Sequence, residues 1–144
     1  MKKVWYAPYK FESYGEEEIK AVEEALRSGW LGGQGPKSEE FEKAIAKRFG
    51  KKHGVFVNSG SSACLLAIAA LDLPKGSKII TPACTFSTTL APIIQLGYVP
   101  VFVDVDLTTY CATVDDIMAV IDDDVKAIML PNLIGNKPDW DFLK

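Results

Sequence analysis

From residue 53 onward the sequence repeats one order of elements: a short apolar run, a turn of small or polar residues, and a segment of helical character. Strands that alternate with helices favour parallel pairing through right-handed crossovers. The strand runs are apolar throughout, as in VPVFV, which indicates that helices cover both faces of the sheet. We therefore predict an α/β fold with a mainly parallel sheet. The predicted strands are Gly54–Val57, 78–82, 99–105 and 125–130, and the predicted helices are 63–71, 88–95 and 114–121.

The residues before this repeat have a different pattern, with two amphipathic helices. In the first, Glu16 to Glu18 crowd the first turn and Gly29 stands where a helix ends. In the second, Ser38 is a candidate cap and Gly50 closes the helix. The glycine-rich segment GWLGGQGP between them could wrap a ligand or partner. We predict a helical segment over residues 1–52 and the first part of an α/β domain over 53–144.

Charge and hydropathy exclude several classes of function. The net charge is −3 and the pI is near 5.2, so the composition does not indicate the basic surface that binds nucleic acid or an anionic membrane. No apolar run approaches the roughly 20 residues of a membrane span, and the N-terminus does not resemble a signal peptide. Three cysteines (Cys64, Cys84 and Cys111) without metal-ligand spacing fit free thiols that pack as small buried hydrophobes. We expect a cytoplasmic protein, with no metal site, whose reading frame is truncated after the fourth strand.

The stretch VNSGSSACLLAIAAL places small polar residues directly before an apolar helix. In a parallel α/β sheet, ligands bind where strands end and helices begin. A helix N-terminus offers unpaired N–H groups and a partial positive charge, so Gly60, Ser61 and Ser62 could bind a phosphate. We expect burial of this helix between layers to dehydrate the site. A structural N-cap without ligand stays open as the alternative, whereas the G-x-S-x-G pattern of a hydrolase nucleophile and the Walker pattern are absent.

Other candidate residues also follow predicted strands. Phe86 lies just beyond the second strand, where an aromatic ring could cover a flat ligand. Asn132, with Gly135 in PNLIGN, follows the fourth strand and could donate its amide to a ligand oxygen, or simply form a turn. The carboxylates of Asp104 and Asp106 could bind a metal or transfer protons, but a turn-capping role is favoured. His53 is expected at the surface.

Three segments in order, SGWLGGQGPKSEEFEKAIAKRFGKKHGVFVNSGSSACLLAIAAL, IITPACTFSTTLAPIIQLGYVPVFVDVDLTTY and VKAIMLPNLIGN, resemble the N-terminal part of the DegT/DnrJ/StrS family. That family comprises pyridoxal-phosphate-dependent enzymes of nucleotide-linked sugars. The resemblance implies the N-terminal portion of the aspartate-aminotransferase (type I) large domain. It also implies a homodimer with the active site at the subunit interface, a nucleotide-linked sugar as substrate, and GWLGGQGP near both.

The resemblance also implies roles for individual residues. Gly60, Ser61 and Ser62 would bind the phosphate of pyridoxal 5′-phosphate or pyridoxamine 5′-phosphate, and Phe86 would stack on its ring. Asn132 would donate to the phenolic oxygen. Asn132 and the NSGSSA turn resemble the branch that removes the C3 hydroxyl of a 4-keto-6-deoxy hexose, and the sugar aminotransferases are the alternative.

No catalytic residue is expected within these 144 residues. The family's aldimine lysine, which is a histidine in some 3-dehydratases, and its pyridinium aspartate lie beyond residue 144, and neither Lys126 nor Lys137 matches the lysine position. We therefore expect no dehydratase or transaminase turnover from this chain alone. A non-catalytic remnant, such as a stable fold or dimerisation module, is the interpretation from another class of function.

Overall fold

The structure is a computed structural model that describes residues 14–143. The described chain forms two compact units, one ending at Phe56 and the other beginning at Val57. Residues 1–13 of the predicted helical segment, and Lys144, lie outside the described residues.

The first unit contains the two predicted helices, α1 (Glu16–Ser28) and α2 (Pro36–Arg48). At the start of α1 the Gly15 N–H donates to Glu18 Oε2 over 2.6 Å, which lowers the pKa of Glu18. Gly29 ends α1 with a left-handed φ of 73°, as predicted. Ser38 was expected to cap α2, but this is wrong: the helix begins at Pro36 after Gly35, because the fixed φ of proline suits the first helical position.

The predicted strand at Gly54–Val57 is not formed in the described chain. A strand needs a neighbour for its backbone N–H and C=O groups, and here the segment lies against α2 instead. The Phe56 N–H donates to Glu42 Oε1 over 2.7 Å. A Cβ at Gly54 would come within 2.6 Å of the Glu42 carbonyl oxygen, so only glycine permits this close approach.

The second unit is the predicted parallel α/β arrangement. Its elements in chain order are α3 (Gly60–Ala69), β1 (Lys78–Pro82), α4 (Ser87–Gln95), β2 (Val99–Val103), α5 (Val114–Val120), β3 (Val125–Ile128), a 3-10 turn (Leu133–Gly135) and α6 (Trp140–Leu143). Within the described residues the sheet has three strands in the order β2-β1-β3, with both pairs parallel. The central strand β1 therefore pairs with both β2 and β3.

Helices cover both faces of β1, as the apolar strand pattern predicts. Ile79 is fully buried on one face with Ile68 of α3 and Ile93 of α4. Ile80, the next residue, is fully buried on the opposite face with Ile117 of α5. Because side chains alternate along a strand, one short segment anchors two separate cores. Each such isoleucine contributes about 1.5–3 kcal/mol by leaving water.

The expected burial of α3 between two layers is wrong for the described chain. Ile68 is its single buried residue, whereas Leu66 is 48% exposed and Ser61 is exposed. No described element of the second unit covers the outer face of α3, so its apolar character is not matched by burial within that unit. The N-terminus of α3 is consequently open to solvent.

An ion-pair cluster lies at the start of β1. Lys78 Nζ is 2.7 Å from Asp122 Oδ2 and 3.2 Å from Asp124 Oδ2. The hydrogen bond from Lys78 lowers the pKa of Asp122, and the two carboxylates raise the pKa of Lys78. These contacts connect β1 to the loop that precedes β3.

We expect Asp122→Asn to lower the free energy of unfolding at pH 7, because it removes a carboxylate that pairs with Lys78. The pKa of Asp122 is lowered from 3.8 by folding, so its contribution is complete above about pH 4 and disappears as the pH falls through the folded-state pKa. Urea unfolding at pH 7 and at pH 2 checks this. Asp123→Asn, the same charge change at the adjacent position, should have little effect, and equal effects of both variants at both pH values would contradict the account.

Candidate functional site

The carboxyl ends of the three parallel strands place the segments that follow them at one edge of the sheet. After β1, this segment leads to Phe86 and α4. After β2, it leads through Asp104 and Asp106, and after β3 it leads to Asn132. The serine turn, residues 58–62, joins this edge in another way, because α3 packs along α4 and Ser61 Oγ donates to Thr88 Oγ1 over 3.1 Å. This contact sets the N-termini of α3 and α4 side by side.

The N-terminus of α3 has a cap and two free donors. Ser59 is the cap, and its Oγ accepts from the Ser62 N–H over 3.2 Å. The Ser62 hydroxyl donates to Asn58 Oδ1 over 2.7 Å. The N–H groups of Gly60 and Ser61 have no acceptor among the described residues, as is usual in a first helical turn. The cap predicted as an alternative to an anion site therefore exists, and it leaves two donors available.

The N-terminus of α4 adds two more donors. Phe86 occupies its cap position and has no side-chain oxygen, so it makes no cap hydrogen bond. Thr89 N–H donates to the Phe86 carbonyl, while the N–H groups of Ser87 and Thr88 have no acceptor within residues 14–143. Sequence reasoning missed Thr88, although the run TFSTT at a strand end was the available signal. Two adjacent helix N-termini both carry partial positive charge, which favours an anion between them.

A groove runs between α3 and α4 from these N-termini. It has a volume of about 190 Å³ and is lined by Ser61, Ser62, Leu65, Thr88, Ala91, Pro92 and Gln95. Its hydroxyl groups come from Ser61, Ser62 and Thr88, which lie in the first turns of the two helices. Beyond this end the lining is apolar until Gln95, whose amide adds hydrogen-bonding groups at the far end.

Phe86 lies beside this polar end. Its side chain is 68% exposed, and its extended backbone places it directly before the N–H groups of Ser87 and Thr88. A phenylalanine with this exposure makes little contribution to the core in the described chain. The placement agrees with an aromatic ring that is available to a ligand.

Asn132 begins the 3-10 turn after β3 and is exposed. Its Oδ1 accepts from the indole Nε1–H of Trp140 over 3.0 Å. The end of the same turn is held by Asn136, whose Nδ2 donates to the Thr109 carbonyl over 2.8 Å. Within residues 14–143, no direct hydrogen bond joins Asn132 to Ser61, Ser62 or Phe86. These residues lie at the same edge of the sheet but are not joined by direct hydrogen bonds in the described chain.

Asp106 has the turn role that its sequence position favours. Its Oδ1 accepts from the N–H groups and hydroxyls of Thr108 and Thr109. These hydrogen bonds lower the pKa of Asp106, and the bond from the Thr108 hydroxyl has the largest effect. The helix that follows is capped by Thr113. Among the described residues, no three histidine, cysteine or carboxylate side chains come together as metal ligands would.

The remaining predicted residues are placed as follows. His53 is exposed, as expected. The three cysteines are free thiols, but only Cys111 is buried; Cys64 is half-buried and Cys84 is exposed after β1, so the prediction of buried packing is wrong for Cys84. No helix in the described part of the chain combines the length and apolar character needed to cross a membrane.

The first unit has a separate cavity of about 280 Å³ at its glycine-rich loop. Trp30 Nε1–H donates to the Gln34 carbonyl over 3.2 Å, which folds the loop back on itself. A Cβ at Gly35 would come within 2.3 Å of Trp30 Cδ1, so a side chain there would displace the indole from this position. The loop is therefore a shaped, partly apolar concavity.

Residues 12–144 match the sequence model of the DegT/DnrJ/EryC1/StrS aminotransferase family. The chain belongs to this family. Over 138 residues it is 39% identical to the spore coat polysaccharide biosynthesis protein SpsC of Bacillus subtilis (strain 168), an alignment that covers 96% of this chain and 35% of that protein.

Solved structures of the same family confirm the predicted fold. The Escherichia coli GDP-4-keto-6-deoxy-D-mannose-3-dehydratase with bound hydrated pyridoxal phosphate is 37% identical, with a TM-score of 0.85 over 91% of this chain and 35% of that chain. A mutant of GDP-4-keto-6-deoxymannose-3-dehydratase (ColD) with bound GDP-perosamine is 37% identical, with a TM-score of 0.84 over the same shares. An aminotransferase from Psychrobacter cryohalolentis is 30% identical, with a TM-score of 0.84 over 95% of this chain and 34% of that chain. The chain thus has the fold of the N-terminal portion of type I aminotransferases, as predicted, and spans about a third of the length of these relatives.

We expect Ser59→Ala to lower the free energy of unfolding by about 1 kcal/mol, because the Ser62 N–H loses its cap. Ser59→Asn retains a cap oxygen and should stay within a few tenths of a kcal/mol of the unchanged chain. Urea unfolding of both variants is the measurement. A loss of equal size in both would show that Ser59 acts through packing and not as a cap.

Proposed function

We propose that this chain forms part of a pyridoxal-phosphate-dependent enzyme that acts on a nucleotide-linked sugar, with its cofactor phosphate at the paired N-termini of α3 and α4. The observation that carries the proposal is the Ser61–Thr88 hydrogen bond, which brings together the N–H donors of Gly60, Ser61, Ser87 and Thr88. The chain is net negative, so an anion must be held by such local donors.

The residues fit the phosphate group of this cofactor. A phosphate presents several acceptor oxygens, and the hydroxyl groups of Ser61, Ser62 and Thr88 line this end of the groove. The space beside Gly60 is empty, because a Cβ built there would have no neighbour within 4 Å. With glycine at this position, a ligand can come close to the backbone N–H groups. The Ser62 hydroxyl donates to Asn58 and the Ser61 hydroxyl donates to Thr88, so the Thr88 hydroxyl hydrogen is the one left available to a phosphate oxygen in the described chain.

The rest of the cofactor has candidate partners at the same sheet edge. Phe86 would cover one face of the pyridine ring and exclude water from it. Asn132 would donate its amide to the phenolic oxygen. When bound, the cofactor supplies an electron sink for negative charge that develops on the substrate. These residues of the chain hold and orient the ring, and they do not transfer protons.

For the substrate we propose dehydration at C3 of a 4-keto-6-deoxy hexose on a nucleotide carrier. The fold similarity to GDP-4-keto-6-deoxymannose-3-dehydratase and the asparagine at position 132 support this reaction. Formation of an amino sugar is the alternative, supported by the similarity to the Psychrobacter cryohalolentis aminotransferase. We also propose a homodimer, in which residues 1–52 form the helical segment and residues 53–144 the first part of the cofactor-binding domain.

A non-catalytic module is the competing proposal from another class. Its supporting observation is that Ser59 caps the α3 N-terminus from within the chain. The two proposals differ in one measurable property, which is binding of the cofactor at the serine turn.

We expect the chain to bind pyridoxamine 5′-phosphate, and the double variant Ser61→Ala/Ser62→Ala to weaken binding at least tenfold. Hydrogen bonds to charged groups contribute about 1.5–3 kcal/mol each, which is the source of this magnitude. Fluorescence titration is the measurement, and the pyridoxamine form avoids adducts between an aldehyde and surface lysines. Ser38→Ala is the control. Absence of binding in every form would favour the non-catalytic module.

A charge at the cap should separate phosphate binding from binding to the ring. Ser59→Asp and Ser59→Asn both retain a cap oxygen, but the aspartate places a negative charge beside the donors of Gly60 and Ser61. We expect pyridoxamine 5′-phosphate to bind more weakly to the aspartate variant than to the asparagine variant, at equal folding stability. Calorimetric titration checks this, and equal affinities would place the phosphate elsewhere.

A further inference from the structure

The hydrogen bond between Trp140 and Asn132 determines which end of the asparagine amide is available. The indole is a donor only, so the atom 3.0 Å from Trp140 Nε1 must be the amide oxygen. The reverse orientation would place two N–H donors against each other. Asn132 Nδ2 then has no acceptor among the described residues and remains a free donor.

The backbone around Asn132 is also restrained. The Gly135 N–H donates to the Asn132 carbonyl over 3.1 Å, which closes the turn. Ile134 and Gly135 have left-handed φ values of 56° and 83°, and such a conformation is costly for a β-branched isoleucine. Asn136 holds the end of the turn through the Thr109 carbonyl. The amide therefore has a set position as well as a set orientation.

We propose that Trp140 is a positioning residue, which holds the Asn132 amide so that its Nδ2 donates to an acceptor oxygen of the ligand. The inference rests on the proposed function for the identity of that oxygen, the phenolic oxygen of the cofactor. A donor at this oxygen favours its deprotonated form. Without the indole the amide rotates between two orientations, and only one of them presents a donor.

The test compares Trp140→Phe with Asn132→Ala, the double variant and Phe142→Leu. Phe142 lies in the same short helix and is 61% exposed, so its variant controls for disturbance of α6. The pH dependence of the absorbance of bound pyridoxamine 5′-phosphate reports the phenolic pKa. We expect Trp140→Phe and Asn132→Ala both to raise this pKa and to weaken binding about threefold to tenfold. The double variant should match Asn132→Ala, and Phe142→Leu should match the unchanged chain.

Two results would overturn the inference while leaving the proposed function in place. One is a phenolic pKa that Trp140→Phe leaves unchanged, and the other is an additive loss of affinity in the double variant. NMR of the ligand-free chain tests the orientation of the Asn132 amide independently of cofactor binding. A nuclear Overhauser contact between the Trp140 indole proton and the Asn132 amide protons, together with slow exchange of that indole proton, is expected. If pyridoxamine 5′-phosphate does not bind, the proposed function fails, and absence of this NMR contact would overturn the positioning role as well.

Discussion

Parallel pairing on the central strand β1 is the constraint on which the second unit depends. Two adjacent isoleucines, Ile79 and Ile80, anchor opposite faces of the sheet, so α3 and α4 cover one side and α5 the other. Because parallel strands end at the same edge of the sheet, the segments that follow them lie at that edge even where they do not contact one another. The site residues Phe86 and Asn132 share this edge for that reason.

A helix that begins at such an edge has N–H groups that its own backbone cannot satisfy. In α3 the Ser59 cap satisfies one of them, and the donors of Gly60 and Ser61 remain. The Ser61–Thr88 hydrogen bond adds the free donors of α4. A negatively charged chain thereby offers a local region of positive potential, which is the physical basis for relating this family member to a phosphorylated cofactor.

Local patterns predicted much of this arrangement. The apolar runs and small-residue turns correctly indicated β1, β2 and β3 and the helices between them, and Gly29 correctly indicated the end of α1. The failures concern contacts between distant parts of the chain. Gly54–Val57 has strand composition but lacks a strand partner in the described residues. Helix α3 has apolar composition, but within the described second unit only its inner face is covered. The contributions of Thr88 and Trp140 depend on pairings 27 and 8 residues apart, which no local pattern specifies.

The central claim is that the N-termini of α3 and α4 together bind the cofactor phosphate. Backbone amide NMR of the chain, titrated with pyridoxamine 5′-phosphate and separately with pyridoxamine, tests it most directly. We expect the phosphorylated ligand to shift the amide signals of Gly60, Ser61, Ser87 and Thr88 together, with one affinity, and pyridoxamine to leave these four signals unchanged. Equal shifts with both ligands, or shifts confined to one of the two helices, would contradict it.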